Sequence, residues 1–158
     1  MKAASLKELK SELELLPPAE VLDLCMRMTR YKKENKELLT YLLFNAGDEQ
    51  AYVEEIKEMI ALMFEEINRS NVYLVKKSLR KILRTANKFI KYSGSKQTDV
   101  EVRIFFCTRM KNAGLPLQSS TALSNIYTRQ LIKLNKTLAM LHEDLQFDYA
   151  QEMKGLVD

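Results

Sequence analysis

The chain has 158 residues, 46% of them hydrophobic and 29% charged, with only four Gly and three Pro. That composition suits one folded domain with a useful core, and it excludes both a disordered chain and a β-rich one, which needs far more turn residues. The net charge of +4 is local: without the eight bases of 72–96, 17 bases face 21 acids, so overall charge is no argument for nucleic acid.

Ser5 and Glu8 make a capping box that opens a short helix to about Leu15. Pro17-Pro18 breaks it, and Pro18 starts a helix expected to run to about Lys33, ending in Arg27, Arg30, Lys32 and Lys33, which complement the helix dipole. Asn35 begins a short helix to Asn45, and Ala46-Gly47-Asp48 stops it. Asp48 to Arg69 is a long amphipathic helix whose Tyr52, Val53, Ile56, Met59, Ile60, Met63, Phe64 and Ile67 recur on one face.

Ser70 or Asn71 caps the next helix, 72–92, with a core stripe of Val72, Val75, Leu79, Ile82, Ala86 and Phe89. Leu83 and Ile90 widen that stripe, and Ser93-Gly94-Ser95 ends the helix. Thr98 and Glu101 have capping-box spacing for a helix through Val102, Ile104, Phe105, Phe106 and Met110. That helix is apolar around much of its circumference, which marks it as the central one. Gly114-Leu115-Pro116 turns the chain. A last long helix from Ser119 or Ser120 carries Leu123, Tyr127, Leu131, Leu134, Leu138, Leu141 and Leu145, with its tail, Phe147 to Asp158, expected as a short docked helix that frays.

The expected architecture is a single all-α domain over 1–158, with six or seven helices in antiparallel hairpins at about 19–45, 48–93 and 98–145. No internal repeat supports a tetratricopeptide or armadillo array, and a bundle and an irregular αα superhelix both fit. Cys25 and Cys107, 82 residues apart, read as buried reduced thiols. Charges at positions 7, 8, 10, 12 and 14 leave no signal-peptide core, and the run Leu38 to Phe44 is too short to span a bilayer. The expected location is cytoplasmic.

No catalytic constellation is visible. Four scattered Gly residues build no phosphate loop, and the single histidine, His142, reads as a partly buried structural or capping residue. Glu54, Glu58 and Glu65 fall opposite the apolar stripe of their helix, and no Glu-x-x-His follows, so no metal site is expected. The expectation is a non-enzymatic protein with no cofactor.

The most distinctive stretch is the basic helix. Lys76, Lys77, Arg80, Lys81, Arg84, Lys88 and Lys91, with the trailing Lys96, meet no acid between Val72 and Lys96. On a helical wheel these bases fill an arc of about 140° opposite the core stripe, in a ridge about 22 Å long. One sign of charge costs self-repulsion and invites an anionic partner. Three readings stay open. The acids of the preceding helix neutralise the ridge, or a protein or second copy docks on it, or it tracks nucleic-acid phosphates without reading sequence, with Tyr73 stacking. A membrane partner is not expected, since the helix's apolar side is committed to the core.

The stretch Leu6-Lys7-Glu8-Leu9-Lys10, through Leu16-Pro17-Pro18-Ala19-Glu20-Val21-Leu22-Asp23-Leu24, to Lys36-Glu37-Leu38-Leu39-Thr40-Tyr41-Leu42-Leu43-Phe44 resembles an uncharacterised family of small all-helical bacterial proteins, commonest among Bacteroidetes. The resemblance implies an αα-superhelical fold and no transferable active site. The expected role is intracellular protein interaction or scaffolding, with the sequence-tolerant nucleic-acid reading as its alternative.

Overall fold

The computed structural model describes residues 2–157 and is all-α, with eight α-helices and no strand among the described residues. The contacts inside the chain gather in two compact units, one up to Phe44 and one from Asn45.

In the first unit, α1 (Leu6–Glu14) opens on the expected capping box: Ser5 Oγ accepts from the Glu8 amide, and the Ser5 amide donates to Glu8 Oε2 at 2.7 Å. Pro18 starts α2 (Pro18–Tyr31), which stops two residues short of the expected Lys33. Lys32 is extended, and Asn35 Nδ2 donates to the Met28 carbonyl at 2.7 Å, occupying a carbonyl the helix end leaves free. α3 (Lys33–Thr40) packs on α2 and runs into a π-helical turn at Tyr41–Asn45.

The second unit holds α4 (Glu49–Glu65), α5 (Val72–Ser93), α6 (Lys96–Asn112), α7 (Thr121–Leu138) and α8 (Glu143–Glu152), then a 3-10 turn at Met153–Gly155. As expected, α6 is central: it packs on α4, α5 and α7 and buries Val100, Val102, Ile104, Phe106, Cys107 and Met110. Phe106 meets Phe64 of α4 at a ring distance of 5.5 Å. Each such side chain contributes about 1.5–3 kcal/mol by leaving water.

Four expectations are corrected in this unit, the first being the end of α4, which stops at Glu65 rather than Arg69. The cap of α6 is Ser95, whose Oγ accepts from the Thr98 amide, not Thr98 with Glu101. Gly94, at φ 68°, ends α5 in the left-handed conformation and leaves Ser95 to start the next helix at once. Thr98 is buried instead, donating its hydroxyl to Glu49 Oε1 at 2.5 Å, and Ser93 donates to the same oxygen. Glu49 thus joins the start of α4 to the end of α5 and the start of α6.

The last long helix ends at Leu138, not Leu145, and this break brings the helix count to eight. Gln146 Nε2 donates to the Leu141 carbonyl at 2.7 Å, and His142 Nδ1 accepts from the Asp144 amide at 3.3 Å, so side chains serve both the end of α7 and the start of α8. The buried face of α7 is also rotated from the leucine stripe: Leu123, Ile126, Gln130 and Leu134 are inside.

Gln130 is inside because of Arg103. This guanidinium, in the middle of α6, is 8% exposed and reaches three helices. It donates to Gln130 Oε1 of α7 at 2.7 Å and to Asn87 Oδ1 of α5 at 3.0 Å. Its Nε lies 2.5 Å from Asp99 Oδ1, as an ion pair without hydrogen-bond alignment. Thr137 donates to the other Asp99 oxygen at 3.2 Å.

α8 is held by Tyr149, which donates to Glu101 Oε1 at 2.6 Å and accepts from Gln97 at 2.9 Å. Burial first, and then the Glu101 carboxylate, push its phenol well above the ordinary range.

Two outcomes follow for stability. Asp99→Ala strands the Arg103 charge and should cost about 2–3 kcal/mol in urea unfolding, at the low end for a nearly buried pair. Tyr149→Phe loses a hydrogen bond to a carboxylate, about 1.5 kcal/mol at neutral pH. A phenol raised in the fold stabilises fully below the unfolded value near 10 and loses that contribution as pH climbs toward the folded value. The gap between wild type and Tyr149→Phe should therefore shrink above pH 10 in thermal melts.

Candidate anion-binding surface

The physics that makes α5 a helix also sorts its side chains. Val75, Leu79, Ile82, Ala86 and Ile90 are buried, and Asn71 caps the first turn by accepting from the Leu74 amide at 2.9 Å. Phe89 is half-buried and Val72 exposed, so the core stripe is narrower at its start than the periodicity suggests.

The bases lie outward. Lys77, Arg80, Lys81, Arg84 and Lys91 are exposed, and Lys76 and Lys88 are half-buried. Lys76 Nζ sits 5.6 Å from the ring centre of Tyr73, and Lys88 Nζ 4.9 Å from that of Phe89. Such cation–π contacts position an ammonium without neutralising it. Lys96, in the first turn of α6, is exposed.

Among the described residues, Lys76, Lys77, Arg80, Lys81, Arg84 and Lys91 form no ion pair. The α4 acids do not neutralise them. Glu54 pairs with Lys57 of its own helix at 2.8 Å, while Glu55, Glu58, Glu65 and Glu66 stay exposed in water. They project from α4 on the side away from its buried face.

α7 extends the surface. It packs against α5, and its Arg129, Lys133 and Lys136 are exposed at helical spacing. Thr121–Leu138 contains no acid, as α5 contains none. Two neighbouring helices thus carry ten bases and no carboxylate. Between them lies a cleft of about 400 Å³, bordered by Arg80, Arg129 and Lys133 and lined by Asn87 and Gln130, the two amides that hold Arg103.

No family model, curated protein or solved structure matches the chain. Its chemistry therefore has to be read from its own residues. The surface offers cations and amide groups: guanidinium forks at Arg80, Arg84 and Arg129 suit bidentate contacts to phosphate or carboxylate, and the lysines act as point charges.

The histidine and the cysteines lie apart from this surface. His142 caps α8 and is exposed rather than partly buried. Cys107 is buried, and burial pushes its thiol up to about 12, away from thiolate chemistry, while Cys25 is half-buried rather than fully so. No three His, Cys, Asp or Glu side chains among the described residues are grouped to hold a metal.

Sequence reasoning found the α5 ridge but missed Arg129, Lys133 and Lys136. The signal was present, since 121–138 shows the same absence of acids, but it was masked by the leucine stripe.

A ridge of closely spaced like charges has a stability signature. Arg84 lies one turn from both Arg80 and Lys88, so Arg84→Glu should raise stability by a few tenths of a kcal/mol at low salt. That gain should fade at high salt in thermal melts. A loss on reversal would mean that the ridge is internally paired.

Proposed function

We propose that this is a non-enzymatic protein that binds nucleic acid along its sugar–phosphate backbone through the acid-free faces of α5 and α7. One observation carries the reading: six bases of α5 have no acid within ion-pair reach, beside a neighbouring helix of the same sign. Paired charges, or charges of mixed sign in water, need no ligand, whereas a repelling ridge is relieved by an anion. Lys76, Lys77, Arg80, Lys81, Arg84, Lys88 and Lys91 are the assigned phosphate contacts on α5, with Arg129, Lys133 and Lys136 on α7. No base-reading group is placed among them, so binding is sequence-tolerant.

Packing of α2 on α3 in the first unit, and of α4 on α5 and α6 on α7 in the second, supports antiparallel hairpins as the finer architecture of each. Hairpins of this kind are the building units of the αα superhelix implied by the resemblance of residues 6–44. A bacterial, cytoplasmic protein without a cofactor is the setting we assign to it. No described helix is long and apolar enough to cross a membrane. A protein-interaction or scaffold role is the second reading, favoured by an open apolar groove between α1 and α2.

The test is fluorescence anisotropy with labelled duplex DNA and single-stranded RNA. Micromolar binding is expected at low salt, weakening by about 10³ between 50 and 200 mM salt if some six phosphates are engaged. Reversal of Arg80, Lys81 and Arg84 to Glu should abolish it. Absence of binding at the lowest salt would remove nucleic acid and leave the scaffold reading.

A further inference from the structure

The unit up to Phe44 leaves more apolar surface in water than its size permits. Of the twenty large hydrophobic side chains exposed among the described residues, thirteen lie there. No residue of α1, α2 or α3 is fully buried. A unit of about 40 residues has little core to hold it together unaided, and oligomerisation is one of the few remedies.

The exposed side chains are organised. Leu6, Leu9 and Leu13 of α1 face Leu24, Met28 and Tyr31 of α2 across a groove of about 850 Å³. Leu6 is 85% exposed and Tyr31 79%, whereas most of the second unit's large apolar side chains are packed inside. Contiguous apolar surface on this scale marks a docking site.

The charges along α2 indicate what docks. Glu20 and Asp23 precede its midpoint, and Arg27 and Arg30 follow it, so the pairs 20/30 and 23/27 are symmetric about Cys25. All four are exposed, and none has an ion-pair partner among the described residues. Two antiparallel copies of such a helix set every acid against a base. Helix-dipole compensation explains the signs of these charges, but not the apolar groove that they flank.

We propose that the occupant is a second copy of this chain, in an isologous dimer in which α2 pairs antiparallel with α2 of its partner and the two grooves close on each other. The groove's six apolar side chains form the centre of that contact and the four α2 charges its rim, the apolar-core and polar-rim pattern of a protein interface. The dimer stands independently of the nucleic-acid reading.

Sedimentation equilibrium of the whole chain tests it. The wild type should be a dimer in the micromolar range. Glu20→Arg with Asp23→Arg, and separately Arg27→Glu with Arg30→Glu, should each weaken self-association about tenfold or more. An equal mixture of these two variants should dimerise again, because each supplies the charge the other lacks.

Since reversed charges oppose the dipole of α2, a third variant, Leu24→Ser with Met28→Ser, keeps the charges. It should be monomeric with an unchanged far-UV circular dichroism spectrum. A monomeric wild type, variants that dimerise as well as wild type, or a mixture no better than its components would overturn the proposal.

Discussion

The arrangement of the second unit depends on one buried cation. Arg103 occupies the middle of the helix that every other long helix of this unit touches, and it cannot sit there unpaired, because an isolated buried charge costs several kcal/mol. Asp99, Asn87, Gln130 and, through Asp99, Thr137 answer it from α5, α6 and α7. A hydrophobic residue would fill the same space with less penalty. The network's contribution is to register: a guanidinium has few ways to meet three helices at once, so α5 and α7 are held at fixed rotations.

Those rotations decide which faces of α5 and α7 meet water. With Asn87 and Gln130 turned inward to Arg103, Arg80 and Arg84 on one helix and Arg129 and Lys133 on the other are left outside. The like charges repel, and the ridge is retained despite a penalty that interspersed glutamates would remove. An anionic backbone whose counterions are released on contact offsets that repulsion. The acidic side of α4 stays separate, so the unit is divided into surfaces of opposite sign rather than neutralised within itself.

Much of the fold is legible because helix ends are decided locally. Ser5 with Glu8, Pro18, Asp48, Asn71 and Gly94 each act on backbone groups within a few residues, and each stands at a helix end as the sequence indicates. Local pattern fails where two signals compete. Thr98-x-x-Glu101 has the spacing of a capping box, but Ser95 is better placed, directly after the left-handed Gly94. Long-range partners are harder still. Gln130 is inside only because a cation 27 residues away needs its amide oxygen, so the leucine stripe of α7 misstates both its buried face and its exposed one. The α5 ridge was legible from composition alone, whereas its continuation on α7 needs knowledge of which helices touch.

The central claim is that α5 and α7 act as one phosphate-binding surface. The salt dependence of binding by a variant with Arg129, Lys133 and Lys136 changed to Gln tests it most directly, measured beside wild type on the same duplex. If both helices contact phosphates, the slope of log K against log salt should be shallower than wild type by about 2–3. An unchanged slope would contradict the account, showing that α7 is a bystander and that its exposed bases serve only to be solvated.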